Sequence, residues 1–223
     1  MLIFNLGTGD RKDSYFANIV CFCNGLFAYA YKTVFCLVGY SMTKLSTVEV
    51  IDEVSMGRMI ERLAHDIVEK NKGTDNLCLV GIRTRGVYLA ERIARAIERF
   101  ESVALPQGIL DITFYRDDLG LIDQVPEIKG SELPFDVTGK TIVLIDDVLF
   151  TGRTVRAAVE TVMNHGRPSK IQLLVLVDRG HRELPVSANF VGKNLPTSKL
   201  EKVKVYFSEI DGRDGVEIIK INE

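Results

Sequence analysis

The stretch Thr141-Ile-Val-Leu-Ile-Asp-Asp-Val-Leu-Phe-Thr-Gly-Arg-Thr154 decides how this chain folds. Residues 141–145 are β-branched or apolar, as in a strand buried on both faces of a parallel sheet. Residues 155–163 follow with apolar positions at helical spacing, so the loop between them joins the carboxyl end of a strand to the amino end of a helix. There the amides of Thr151, Gly152, Arg153 and Thr154 lack intrahelical acceptors. With the helix dipole and two threonine hydroxyls, they suit a dianionic phosphate. Asp146 and Asp147 stand one loop-length away across Val148, Leu149 and Phe150, where carboxylates can accept hydrogen bonds from vicinal ribose hydroxyls. Phosphate at one end and diol at the other describe a ribose 5-phosphate. No Walker-type Gly-x4-Gly-Lys-Ser/Thr is present, and no Gly-x-Gly-x-x-Gly follows a strand.

Working outward, residues 47–52 read as an extended lead-in and 55–69 as an amphipathic helix, with Met59, Ile60, Leu63, Ile67 and Val68 inward. Residues 77–82 form a buried strand, 87–97 a helix, 109–115 a strand and 171–177 a further buried strand. Residues 116–135, with Pro126 and Pro134 and no period, read as a flexible flap or long hairpin. Residues 178–198 read as a long polar loop, and 203–208 and 216–221 as terminal strands. Strands alternating with helices imply an α/β fold with an open, mostly parallel sheet flanked by helices, and ligands at the carboxyl ends of its strands.

At 223 residues and 46% hydrophobic, the chain holds one such domain and some excess, and the excess lies at the front. Residues 1–41 carry three basic and two acidic residues, several aromatics, and Cys21, Cys23 and Cys36, a composition unlike the rest. The favoured reading is a start assigned too far upstream, with Met42 as the true beginning and residues 42–223 as one domain. A membrane anchor or targeting segment in the uncharged run 14–31, and an ordered appendage, are the alternatives. The cysteines lack zinc-site spacing, and Cys78 falls in an apolar strand pattern. A formal net charge of −2 excludes a polycation, so contact with nucleic acid needs charge segregated onto one face.

Gly81-Ile-Arg-Thr-Arg-Gly86 is a second strand-to-helix connection, whose two cations and closely approaching backbone suit a pyrophosphate, with an ordinary basic turn as the plainer reading of the motif alone. Asp111-Ile-Thr-Phe-Tyr-Arg-Asp-Asp118 runs into the flap, and Arg116 at its tip can close over the pyrophosphate and exclude water. A solvated charge cluster at a hairpin tip is the plainer alternative.

The 141–154 run, a hydrophobic strand with two acids followed by Thr-Gly-x-Thr, resembles the 5-phosphoribosyl-1-pyrophosphate (PRPP) motif of type I phosphoribosyltransferases. Three further runs narrow the resemblance: the 111–118 run, Asp178-Arg-Gly-His-Arg-Glu-Leu-Pro185, and Gly192-Lys-Asn-Leu-Pro-Thr197. Together, and over residues 47–223, they are similar to the bifunctional family of pyrimidine-operon attenuation regulators and uracil phosphoribosyltransferases. The resemblance implies the type I phosphoribosyltransferase fold and conversion of uracil and PRPP to UMP and pyrophosphate. It also implies UMP-dependent binding to pyrimidine-operon leader mRNA, which promotes transcription termination.

It further implies Mg2+ accompanying PRPP, with no dedicated protein metal cage, a cytoplasmic location, no membrane contact for residues 42–223, and a homodimer or higher even oligomer. By the same resemblance Thr84 and Arg85 hold the pyrophosphate, catalysis falls to Asp146, Asp147, Arg85 and Arg116, and the base sits near Arg179 and the backbone of Val203. A structural ion pair is the alternative for Arg179. The implied RNA contacts are Arg62, His65, Lys70, Arg182 and Lys193, each of which could instead be a solvated or half-buried side chain. Glu61 stands where the family commonly has Thr and Ser187 where many members have a cation, and both reduce positive charge. The competing reading is a phosphoribosyltransferase for orotate or a purine, without RNA binding.

Overall fold

The computed structural model describes residues 44–112 and 130–222. The 1–41 extension, Arg116 and residues 116–129 of the expected flap lie outside the described residues. The elements are β1 (Lys44–Ile51), α1 (Glu53–Asn71), β2 (Leu77–Ile82), α2 (Arg85–Glu101), β3 (Gln107–Leu110) and β4 (Thr141–Leu149). They continue with α3 (Arg153–Asn164), β5 (Lys170–Asp178), β6 (Phe190–Asn194), β7 (Glu201–Tyr206), α4 (Ser208–Asp211) and β8 (Gly215–Asn222).

Five strands form a parallel sheet in the order β3-β2-β4-β5-β6. Successive β4 residues serve opposite faces, as the period-2 pleat requires. Val143 and Ile145 join Leu63, Ile67, Leu89 and Ile93 of α1 and α2, while Ile142 and Leu144 join Val155, Ala158 and Val162 of α3. The result is a three-layer α/β/α body. From β2 the chain passes to β3 on one side and reaches β4 on the other, so the sheet order reverses between β2 and β4. A crevice at the carboxyl ends of the strands follows from that reversal.

Two features differ from the sequence reading. The terminal strands do not extend the parallel sheet: β1, β8 and β7 make a separate antiparallel sheet, which adds Val205, Phe207 and Val216 to the core. The 178–198 segment is not all loop, because β6 pairs with β5 as the sheet's fifth strand. Residues 130–135 agree with the hairpin alternative rather than the flap, because Glu132 pairs antiparallel with Ile109 and both Leu133 and Phe135 pack on the core. Among the described residues, no helix is long and apolar enough to cross a membrane.

Candidate active site

β4 runs on through the acidic pair, so Asp146 and Asp147 are strand residues at its carboxyl end rather than members of an exposed loop. Ladder pairing with β5, Asp146 to Val175 and Val148 to Val177, holds them there. Asp146 is only 8% exposed, and its Oδ1 accepts from Asp147 N at 3.0 Å. Burial pushes the Asp147 carboxyl above its ordinary range, opposed by its hydrogen bond with Asp146 and by the Arg85 guanidinium.

The turn after β4 needs Gly152, whose φ of 93° places it in the left-handed region while its carbonyl opens α3 by accepting from Arg156 N at 3.0 Å. A cavity of about 290 Å3 lies over this turn, lined by Asp146, Phe150, Thr151, Gly152, Thr154 and Glu183 among others. Val148, Leu149, Arg153 and Val155 complete the lining. The expected phosphate loop and one of the two acids therefore share a single cavity at a helix amino terminus. Glu183, which lies in the 178–185 run without a role assigned to it, pairs with Arg153 at 3.0 Å.

The second loop meets the acidic end of β4 through Gly86. A Cβ there would strike Ile145 O and lie 3.3 Å from Asp146 Cα, so the absent side chain lets α2 begin directly against the acidic end of β4. Thr84 caps α2 without a side-chain cap bond. Arg85 pairs with Asp211 of α4 at 3.1 Å, which ties this loop to the antiparallel sheet's connection. Arg83 faces the buried Asp111 at 3.9 Å, a partnership that carries no mark in the sequence. Arg83 Nε and Arg85 Nε are both buried without hydrogen-bond partners, a cost that an anionic oxygen seated in this loop would offset.

Arg179 is 6% exposed. Its Nη2 donates to Ser198 O at 2.9 Å and Glu201 O at 2.8 Å, and the guanidinium lies 4.1 Å from the Phe150 ring centroid. It anchors the approach to β7 while packing on Phe150, and its hydrogen-bond partners are carbonyls rather than the acid of an ion pair. Val203 sits in β7, the edge strand of its sheet, which lies beside β4. An edge strand leaves alternate backbone groups unpaired, and these can read the polar edge of a base.

The residues expected at RNA separate. Arg62, 51% exposed, donates to Gly192 O at 2.7 Å and pairs with Asp66 at 3.0 Å. Lys70 donates to Asn189 O at 3.3 Å, and Lys193 to Val50 O at 3.4 Å. Arg62 and Lys70 line the seam between α1 and β6, while Lys193 reaches from β6 to β1. His65 lies on the other flank of α1, stacked on Phe100 of α2 with ring centroids 4.0 Å apart. Glu61 is paired with Arg99, which offsets the negative charge it brings to α1.

Arg182 departs from the expectation of an RNA contact. Its side chain is 22% exposed and turned inward, with Nη1 donating to Phe150 O at 2.7 Å and Nη2 to Asp178 Oδ2 at 2.5 Å. A guanidinium so committed holds the phosphate loop instead of facing solvent. Among the described residues, no three His, Cys, Asp or Glu side chains are grouped to hold a metal.

Residues 49–206 match the family described as phosphoribosyl transferase domain. The bifunctional protein PyrR of Thermus thermophilus is 58% identical over 170 residues, 76% of this chain and 94% of that protein. The bifunctional protein PyrR of Caldicellulosiruptor bescii is 56% identical over 174 residues, 78% of this chain and 96% of that protein. Among solved structures, a hypoxanthine phosphoribosyltransferase from Trypanosoma cruzi in a ternary substrates complex aligns with a TM-score of 0.60 at 19% identity, covering 82% of this chain and 97% of that one. At that identity the likeness shows the fold alone. The matched domain and these relatives establish that the chain belongs to the phosphoribosyltransferase family, among the bifunctional PyrR proteins.

Proposed function

We propose that the chain transfers the 5-phosphoribosyl group of PRPP to uracil and, with UMP in the same site, binds the leader RNA of pyrimidine operons to promote transcription termination. The observation that carries the enzymatic reading is the meeting of three elements at the end of β4: a phosphate-sized turn at a helix amino terminus, an acidic pair, and the basic loop packed against it through Gly86. In the reaction, uracil N1 bonds to ribose C1′ as the C1′–O bond to pyrophosphate breaks, and the N1 proton is lost. No protein nucleophile is required.

Each group has an electrostatic task. Amides and hydroxyls of Thr151, Gly152, Arg153 and Thr154 hold the 5-phosphate, with Val148, Leu149 and Phe150 carrying the backbone to them. Asp146 and Asp147 accept from the ribose hydroxyls, and their charge favours the cationic ribosyl transition state. Thr84 and Arg85 bind pyrophosphate, and Arg116 closes over it. Arg179, through its packing on Phe150, and the Val203 backbone orient the base.

The strand-end pair of carboxylates suits a hydrated Mg2+ carried in on PRPP oxygens. Asp146 and Asp147 would hold that ion through water, and it would neutralise charge on the departing pyrophosphate. The RNA face takes Arg62 and Lys70 at the α1–β6 seam and Lys193 on β6, in a cytoplasmic homodimer or higher even oligomer. An assay of uracil, orotate, hypoxanthine and guanine with PRPP tests the reading. Product from uracil alone is expected, and turnover of a purine or orotate with none from uracil would replace it with the salvage or orotate reading.

A further inference from the structure

The carbonyls entering the phosphate loop are all taken by the segment that follows β5. Leu149 O accepts from Arg179 N at 3.1 Å, and Thr151 O accepts from Glu183 N and Leu184 N at 3.0 and 3.1 Å. Between them, Phe150 O is held by a side chain: Arg182 Nη1 donates to it at 2.7 Å and reaches Leu149 O at 3.4 Å. In a trans peptide the N–H points opposite to the C=O, so capture of these carbonyls turns the loop's amides the other way, as an anion site needs.

Arg182 is itself fixed on every side. Nε donates to Val186 O at 3.1 Å, Nη1 also donates to Gly180 O at 3.1 Å, and Nη2 binds Asp178 Oδ2 at 2.5 Å. The guanidinium's planar fork makes this possible, since a lysine ammonium cannot span β5, the 180–186 turn and the loop carbonyls at once.

We propose that Arg182 is a positioning residue of the transfer reaction, fixing the carbonyls of Leu149 and Phe150 so that the loop presents the Thr151 amide to the 5-phosphate. The proposal rests on the reading that residues 151–154 hold that phosphate. Its loss acts on ligands that carry the phosphate, UMP and PRPP, and leaves free uracil's own contacts in place.

The test uses the full chain with Arg182→Ala, Arg182→Lys and Thr154→Ala, measuring UMP affinity by calorimetry and kcat and KM for PRPP and uracil. Arg182→Ala is expected to raise the UMP Kd and the PRPP KM by about tenfold, with the uracil KM within about twofold of the parent. Arg182→Lys is expected to fall between, and methylguanidinium is expected to restore UMP affinity to Arg182→Ala and add none to the parent. Unchanged UMP and PRPP constants in Arg182→Ala, alongside weakened ones in Thr154→Ala, overturn the proposal and leave the phosphate-loop reading standing. Unchanged constants in both variants overturn the phosphate-loop reading and the proposal with it. Equal losses for uracil and PRPP without rescue also overturn it. If Arg182→Ala does not fold, Arg182→Lys and Asp178→Asn carry the test: a selective rise in the PRPP KM supports the proposal, and its absence refutes it.

Discussion

Gly86→Ala places one methyl group where two loops of the site meet. The added Cβ would contact Ile145 O and lie 3.2 Å from Ile145 C and 3.3 Å from Asp146 Cα. All are main-chain atoms of the central strand, so no side-chain rotation relieves the overlap. Carbon pairs settle at about 3.5–4.0 Å, so α2 must retreat from β4 by roughly half an ångström or more. Overpacking of this kind costs about 1–3 kcal/mol of stability. The same retreat moves Thr84 and Arg85 relative to Asp146 and Asp147, and a misplacement of about 1 Å at a reacting centre costs on the order of 100-fold in rate. Gly57→Ala is the control: it lies inside α1 with nothing within 4 Å of the new Cβ, and should gain about 0.5–1 kcal/mol. Urea unfolding and initial rates of UMP synthesis on both variants check this. A Gly86→Ala protein with parental stability and turnover would refute the packing of α2 on β4. Lost stability with unchanged turnover would remove the 83–86 loop from the site.

Burial raises the Asp147 carboxyl, so the folded state binds its proton more tightly than the unfolded state, and stability falls as pH rises from the unfolded carboxylate range through the folded value. Asp147→Asn should flatten that fall, and with Asp146→Asn it should abolish UMP formation; Tm measured across pH and a rate assay decide, and an unaltered pH slope refutes the first claim. Arg62→Ala and Lys193→Ala should weaken binding to a pyrimidine-operon leader hairpin while sparing uracil transfer, with the log-log salt slope falling by about one unit for each phosphate-neutralising cation removed. Equal affinity for a scrambled RNA would remove the seam from recognition. A chain beginning at Met42 should fold and form UMP at the full chain's rate, since every assigned residue lies after it, and a slower rate would give residues 1–41 a role.

What is legible in the sequence is what local chemistry dictates. Apolar β-branched residues at 141–145 announce a buried strand, and Thr-Gly-x-Thr announces a helix start with spare amides. The strand's extension through two aspartates is not legible, because the β5 ladder pairs backbone and is indifferent to side-chain polarity. β6 is hidden likewise: Phe190-Val-Gly-Lys-Asn194 is short, glycine-containing and half polar, which an edge strand tolerates. The pairing of β1 with β8 joins opposite ends of the described chain and leaves no local mark. Arg182 resists placement from sequence because a cation's position along the chain does not say whether its fork faces water or carbonyls 32 residues earlier.

Those hidden features explain how one chain can serve two ligands. Residues 179–184 take the phosphate-loop carbonyls, and a few residues on, the same segment becomes β6, whose Val191 and Gly192 carbonyls receive Arg62 of α1. Whatever orders the loop therefore acts on a segment that also holds Arg62, the cation proposed to face RNA. Such a segment gives UMP and RNA a shared element to bias, and the linkage must be reciprocal: if UMP tightens RNA by some factor, RNA tightens UMP by the same factor. Calorimetry of UMP with and without the leader hairpin measures that factor, and a ratio of one would mean that the two sites share a segment without being coupled.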